Sequence, residues 1–315
     1  YVAYGESFRR GLNVIGDFSL VRSATQQKFT NLEPETSDSI EIGVKTSLFE
    51  DRLRLNATVF HQEFENYPYR PSEVVFYVNY SFGGFGPNGI IVTPGVGAHN
   101  FVSPVPVEVD GFELEASFAA TENLNLGALF SYAKGEVDNG EFACNDYLPN
   151  DGIPDSGGQV PELADIFAAA GAENLTECTG SFRANTAPLW TSTFNAEYSF
   201  ELGVMSAFIR GLWTVYGKAE NDPANPLDDV DSYNILNLYA GVRDPEGKWE
   251  AMLFAKNVAD TEEVRSRSST PGVVGFTIVD GLTQQAYSSG TIRSDYRAIS
   301  ITDPQEVGIN FRYNF

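Results

Sequence analysis

Few side chains here have a type and spacing suited to chemistry: His61 and His99, Cys144 and Cys178, and the oxygen donors of CNDYLPNDGIPDSGG. The histidines could serve hydrolysis beside a carboxylate, but neither carries a nucleophile motif such as G-x-S-x-G. The cysteines are the only two in the chain. In an oxidising compartment they form a disulfide closing about 35 residues; the alternative is a pair of free thiols or a thiol metal site, with no His near in sequence. Asp146, Asn150, Asp151 and Asp155 offer hard oxygens around Gly152, as a calcium loop would. The spacing departs from the twelve-residue calcium loop: with Gly152 at the turn position, the first and third ligand places fall on Tyr147 and Pro149. A solvated turn is the plainer reading, and the four remain weak calcium candidates.

The same region holds nine acidic side chains and one Arg, Arg183, between Asp138 and Asn185. Such a charge run is either a hydrated surface or a site that draws cations. Within it, PELADIFAAAG opens on a Pro suited to a first helical turn and ends on Gly171, which predicts a short helix. YSFGGFGPNGIIVTPGVG lacks the G-x-x-x-x-G-K-[ST] phosphate pattern and reads as a flexible Gly-rich loop. No cofactor is expected from these residues.

The elements that must hold them are strands. In LRLNATVF, residues 53–60, Leu53, Leu55, Ala57 and Val59 alternate with Arg54, Asn56 and Thr58; GFELEASF and LNLGALFSY repeat the pattern. The terminal VGINFRYNF sets Val307, Ile309, Phe311, Tyr313 and Phe315 on one face and Gly308, Asn310, Arg312 and Asn314 on the other. About ten strands are expected, starting near residues 1, 37, 53, 107, 124, 187, 204, 232, 248 and 303.

Connections alternate in length. Short turns fall at FEDR, TEN, ELG and DPEGK, whereas connections of about 25 to 50 residues follow Arg10, Tyr67, Val137 and Ala259, beyond ordinary loop lengths. Alternating strands with tight turns at one end and long loops at the other describe a transmembrane antiparallel up-and-down β-barrel. Hydrocarbon offers no hydrogen-bond partners, so such strands close on themselves and turn their apolar side outward. Trp190, Trp213, Trp249, Tyr67, Tyr198, Tyr216 and Tyr313 are the expected interfacial girdles.

Composition agrees. Hydrophobic residues make up 42% of the 315, enough to fold despite a net charge of -23. With 20 Lys and Arg against 43 Asp and Glu, phosphate neutralisation and hence a nucleic-acid partner are disfavoured. No apolar run reaches the roughly 20 residues of a spanning helix. YVAYGESFRR already reads as a strand, without a signal peptide, and suggests that further sequence lies upstream.

LEPETSDSIEIGVKTSLFEDRLRLNATVFHQEF (32–64), AKNVAD (255–260), YVAYGESFRRGLNV and the closing strand with Phe315 resemble the barrels of TonB-dependent outer-membrane receptors. The resemblance implies the C-terminal part of a 22-stranded barrel, with plug domain, TonB box and signal peptide outside these residues. It implies energised uptake of a scarce small-molecule ligand such as a siderophore, cobalamin or carbohydrate, driven by the TonB-ExbB-ExbD complex, in the outer membrane of a Gram-negative cell among outer-membrane lipid and lipopolysaccharide. It also implies that Val307, Ile309, Phe311, Tyr313 and Phe315 form the signal read by the barrel-assembly machinery. The rival readings are a self-contained small pore or adhesin-like barrel, and an outer-membrane protease using rim Asp and His.

Overall fold

The computed structural model describes residues 1–14, 22–71, 73–155, 160–184, 187–219, 229–268, 273–279, 282–283, 286–293 and 296–314. In chain order the elements are β1 (Val2–Arg9), α1 (Ala24–Lys28), β2 (Glu35–Leu48), β3 (Leu53–Tyr69), β4 (Val75–Gly86), β5 (Gly89–His99), β6 (Ser103–Ala119) and β7 (Leu124–Cys144). There follow α2 (Leu163–Ala170), β8 (Thr176–Arg183), β9 (Trp190–Leu202), β10 (Met205–Tyr216), β11 (Tyr233–Arg243) and β12 (Trp249–Lys256). The last five are β13 (Val264–Arg267), β14 (Val273–Val279), β15 (Ala286–Arg293), β16 (Ile299–Ile301) and β17 (Glu306–Tyr313).

One antiparallel sheet runs β1-β2-β3-β6-β7-β9-β10-β11-β12-β17, with β8 added beside β7. These ten staves are the ten strands that alternation predicts. β1 and β17 end the path, and among the described residues they do not pair with each other. The tight turns at 49–52, 120–123, 203–204 and 244–248 all lie at one end. Asn314 reaches that same rim, its N–H donating to the Lys248 carbonyl at 2.8 Å, so the last strand runs toward the short turns as expected. Phe315 lies outside the described residues.

Register keeps the two faces distinct from strand to strand. Val2, Ile42, Val59, Phe112, Tyr132 and Trp190 stand opposite one another along one row. The neighbouring row on the other face is Gly43, Thr58, Glu113, Ser131 and Thr191. A one-residue slip would exchange these rows entirely, so each strand's pattern fixes its partner. Apolar side chains on this face stand open among the described residues: Ile42 is 52% exposed and, on β17, Ile309 76%.

Burial is instead concentrated at the long-loop end, where the connections pack into a cap. Phe29, Val75, Tyr77, Phe101, Ala143 and Leu175 form one cluster; Phe76, Val78, Tyr147 and Ile166 form another. Beneath them Tyr69, Val105, Val107, Val137 and Phe142 pack around the cysteines. β4 contributes to two of these clusters, Val75 and Tyr77 to one and Phe76 and Val78 to the other, so both its faces are buried.

Two expectations need correction. The Gly-rich stretch is not a flexible loop: it lies in the β4–β5 hairpin, where Gly84 at φ 124° sits at a register shift within β4 and Gly89 at φ 121° follows the turn. Backbone pairing with β5, from Val75 opposite His99 to Gly86 opposite Gly89, outweighs the conformational freedom of its glycines. Tyr216 and Tyr67 are not girdle residues: Tyr216 shares the polar face with Arg210 and Thr214, and Tyr67 packs against the cap's lowest cluster. Trp190, Trp213, Tyr198, Trp249 and Tyr313 do stand on the apolar face.

Candidate functional site

The cap and the upper part of the polar face are where loops, charge and cavities meet. β7 has 21 residues, about twice what a tilted spanning strand needs, and its far end projects beyond the sheet. β8 pairs with that projection, and Cys144 and Cys178 close it with a disulfide, their Cα atoms 5.8 Å apart. The helix expected in the same connection is α2, ended by Gly171 at φ 61°.

Three of the four calcium candidates, Asp146, Asp151 and Asp155, accept from backbone N–H groups. Asp146 accepts from the N–H groups of Asp151 at 3.0 Å and Gly152 at 2.8 Å, and Asp155 accepts from Tyr147 at 2.8 Å. Asp151 accepts from Ile153 at 3.1 Å, while Asn150 donates to the Ala169 carbonyl at 3.0 Å. Side chains used this way hold a turn together. Among the described residues no group of three or more His, Cys, Asp or Glu is placed to hold a metal ion.

A second set of polar contacts docks α1 into the cap. Ser23 caps the helix by accepting from the Gln26 N–H at 3.0 Å and donates to Asn174 Oδ1 at 2.5 Å. Asn174 is buried; it donates to Gln26 Oε1 at 2.7 Å and to the Val78 carbonyl at 3.2 Å, joining α1, β4 and the loop before β8. Lys28 donates to Glu141 at 2.5 Å and Glu177 at 2.7 Å. Burial lowers the Lys28 pKa, but those two carboxylates outweigh it and hold the ammonium above its ordinary value. Glu173 is held below the ordinary carboxylate range by the Ser23 hydroxyl and the Thr25 N–H. The docking contacts carried no sequence signal, because the partners they join lie 96 to 151 residues apart.

On the polar face, Glu197 of β9 pairs with Arg210 of β10 at 2.5 Å and Arg243 of β11 at 2.7 Å. The Arg243 guanidinium also lies 4.4 Å from the Phe208 ring centroid, a cation–π distance. Higher up, AKNVAD shows a structural role. Asn257 is buried at φ 46°; its Nδ2 donates to the carbonyls of Thr261 at 3.0 Å and Asp303 at 2.9 Å, and its Oδ1 accepts from the Thr261 N–H at 2.9 Å. Its backbone N–H donates to Asn237 Oδ1 at 2.9 Å, so one side chain and its amide tie β11 to both ends of the last long connection.

The two histidines stand apart. His61 is on the apolar-face side of β3 near its far end, its Nδ1 2.9 Å from Asp110 and its Nε2 3.3 Å from Glu63, all three well exposed. His99 lies in β5 of the cap, its ring edge-on to Phe101. The neighbours seen here are two carboxylates for His61 and an aromatic ring for His99.

The family model "TonB dependent receptor-like, beta-barrel" matches residues 1–258. A search of curated protein sequences finds no match. Among solved structures the chain is similar to the ferric yersiniabactin uptake receptor FyuA from Yersinia pestis, at 12% identity and a TM-score of 0.57, covering 100% of this chain and 34% of that one. It is similar to the pyoverdine outer membrane receptor FpvA from Pseudomonas aeruginosa, at 15% identity and 0.53, covering 100% and 33%. It is also similar to BauA, the ferric preacinetobactin receptor from Acinetobacter baumannii, at 14% and 0.52, covering 100% and 34%. At these identities the likeness is one of fold, and the chain spans about a third of the length of each. Since the family model spans well over half of the residues, the chain belongs to the TonB-dependent receptors, within their β-barrel.

Proposed function

We propose that residues 1–315 form the C-terminal wall of a 22-stranded barrel that takes up a scarce small-molecule nutrient across the outer membrane of a Gram-negative cell. The observation that carries this reading is the continuous register of ten staves: apolar side chains line one face, polar side chains line the other, and a packed cap stands over the long-loop end. Hydrocarbon is the solvent that such an uncovered apolar face requires. The polar face then lines the lumen, and the cap faces the outside, where ligand arrives. Barrel-type neighbours that match this chain over about a third of their length support its being part of a larger barrel.

In this reading a plug fills the lumen and the TonB-ExbB-ExbD complex pulls on it, using the proton gradient. The barrel-assembly machinery reads the last strand, through Val307, Ile309, Phe311, Tyr313 and Phe315. The chain itself contributes wall, lid and closing strand. Ferric siderophores, named for the similar structures, are the first ligands to try. The test is uptake of radiolabelled ferric complexes and other nutrients in cells that carry or lack the full-length gene. Uptake that needs the gene and stops with a protonophore supports the proposal; uptake that continues without a proton gradient overturns it in favour of a passive pore.

A further inference from the structure

Asparagine followed by glycine occurs twice in the chain, at Asn88–Gly89 and Asn139–Gly140. In such a pair the glycine nitrogen can reach the preceding side-chain carbonyl carbon, because no Cβ hinders the approach. The fold treats the two pairs differently. Asn88 and Gly89 are exposed at the turn of the β4–β5 hairpin, where the ladder ends with Gly86 opposite Gly89. The Asn88 side chain makes no hydrogen bond among the described residues, and a Cβ built on Gly89 would meet nothing within 4 Å. Gly89 takes φ 121°, which L side chains rarely adopt, so the turn itself demands the glycine that leaves Asn88 open to attack. Asn139 is held instead: its backbone N–H donates to Ser181 Oγ at 2.9 Å and its Nδ2 to Asp138 Oδ1 at 3.1 Å. Gly140 is buried opposite Gly180 of β8, and a Cβ there would lie 2.4 Å from Val137 Cγ1 and 3.1 Å from Val105 Cγ1.

We infer that Asn88 is a site of spontaneous deamidation at the hairpin tip, and that packing protects Asn139 from the same reaction. The Gly89 nitrogen, its proton lost to solvent, attacks Asn88 Cγ. A C–N bond forms, the Cγ–Nδ2 bond breaks, and ammonia leaves with a proton from water, giving a five-membered cyclic imide. Water then adds to either imide carbonyl and opens the ring, leaving aspartate or, with the backbone rerouted through the side chain, isoaspartate. Ring closure requires the glycine nitrogen to leave its ladder conformation. At the hairpin tip that opens one terminal pair, whereas at Gly140 it must displace packed side chains and a neighbouring strand. Val74 to Val107 contain no Asp, Glu, Lys or Arg, and Phe82, Phe85, Ile90 and Ile91 stand exposed about the turn. Conversion therefore puts the first carboxylate into an uncharged, apolar tip, and the chemistry of that surface changes irreversibly as the molecule ages.

The test is peptide mapping by mass spectrometry of the full-length receptor, folded in detergent and aged at mildly alkaline pH in water enriched in heavy oxygen. Asn88 converts at least about tenfold faster than Asn139, a difference of about 1.4 kcal/mol in barrier. The new carboxyl carries heavy oxygen, and an isoaspartyl methyltransferase labels part of the product. In the same receptor unfolded in urea the two rates come within a few-fold of each other, because packing no longer separates the two pairs. Asn88→Gln, whose longer side chain would have to close a six-membered ring, removes the acidic band that ageing adds in isoelectric focusing. Heat-modifiable migration in gels verifies that this variant and the aged receptor are folded. The inference is overturned if Asn88 keeps its amide in the folded receptor while the unfolded one converts, if Asn139 converts as fast as Asn88 in the folded receptor, or if the difference between them persists in urea.

Discussion

Gly111 lies beneath the ring of Phe60, its neighbour across β3 and β6, and a Cβ built there would stand 1.9 Å from Phe60 Cζ. Space rather than a special φ requires the glycine. Gly111→Ala is therefore expected to cost about 1–3 kcal/mol through overpacking, read as a lower urea midpoint, and Phe60→Leu in the same chain should recover part of the loss. The disulfide acts differently, by restricting the opened chain. Replacing Cys144 and Cys178 together by Ser should lower the cap's stability by about 3–4 kcal/mol on the chain-entropy estimate. Faster amide exchange between 144 and 178, with the barrel strands unchanged, is the expected result. Two cysteines alone in a chain are legible as a pair from sequence. Lys28 and Asn174 were not, since nothing local marks a residue whose partners sit in distant loops.

At the scale of elements, α1 shows how a short helix gains stability that five residues cannot supply alone. Its docking depends on charge at both ends. Glu173 has a depressed pKa, so its contribution is present above the unfolded carboxylate value of about 4.3 and is lost as pH falls through the lower folded value. Lys28 has a raised pKa, so its contribution is complete below about 10.4 and is lost as pH rises through the higher folded value. Limited proteolysis across the 22–31 segment should then show a protected plateau through neutral pH, opening at both extremes. Lys28→Met should remove the alkaline edge and reduce the acidic one to the part that Glu173 carries, because Lys28 also holds the Glu141 carboxyl below its ordinary value. The strands that make the sheet were readable because alternation persists over eight or more residues and burial acts on one face only. The β4–β5 hairpin was not, because burial on both faces of β4 erases the alternation that marks a one-sided strand.

For the molecule as a whole, the decisive quantity is the solvent that meets the apolar face. Ile309 is 76% exposed and lies on the terminal strand's apolar side. Ile309→Arg is expected to cost about 2–4 kcal/mol if hydrocarbon surrounds it near midplane, and to lower the amount of folded receptor recovered from outer membranes. Unchanged recovery would argue for water there. Sequence alone determined the ten staves, their direction and which face is apolar, because a period of two and a turn every second strand are local properties written in consecutive residues. It also determined the family, through segments such as 32–64 and AKNVAD. Only the tertiary structure decided that the long loops pack into a cap, that Asp146, Asp151 and Asp155 accept from backbone N–H groups, and that Asn257 fastens the last connection to the wall. Those outcomes depend on side chains brought together from tens to more than a hundred residues apart, where loop closure costs entropy that only the assembled fold repays.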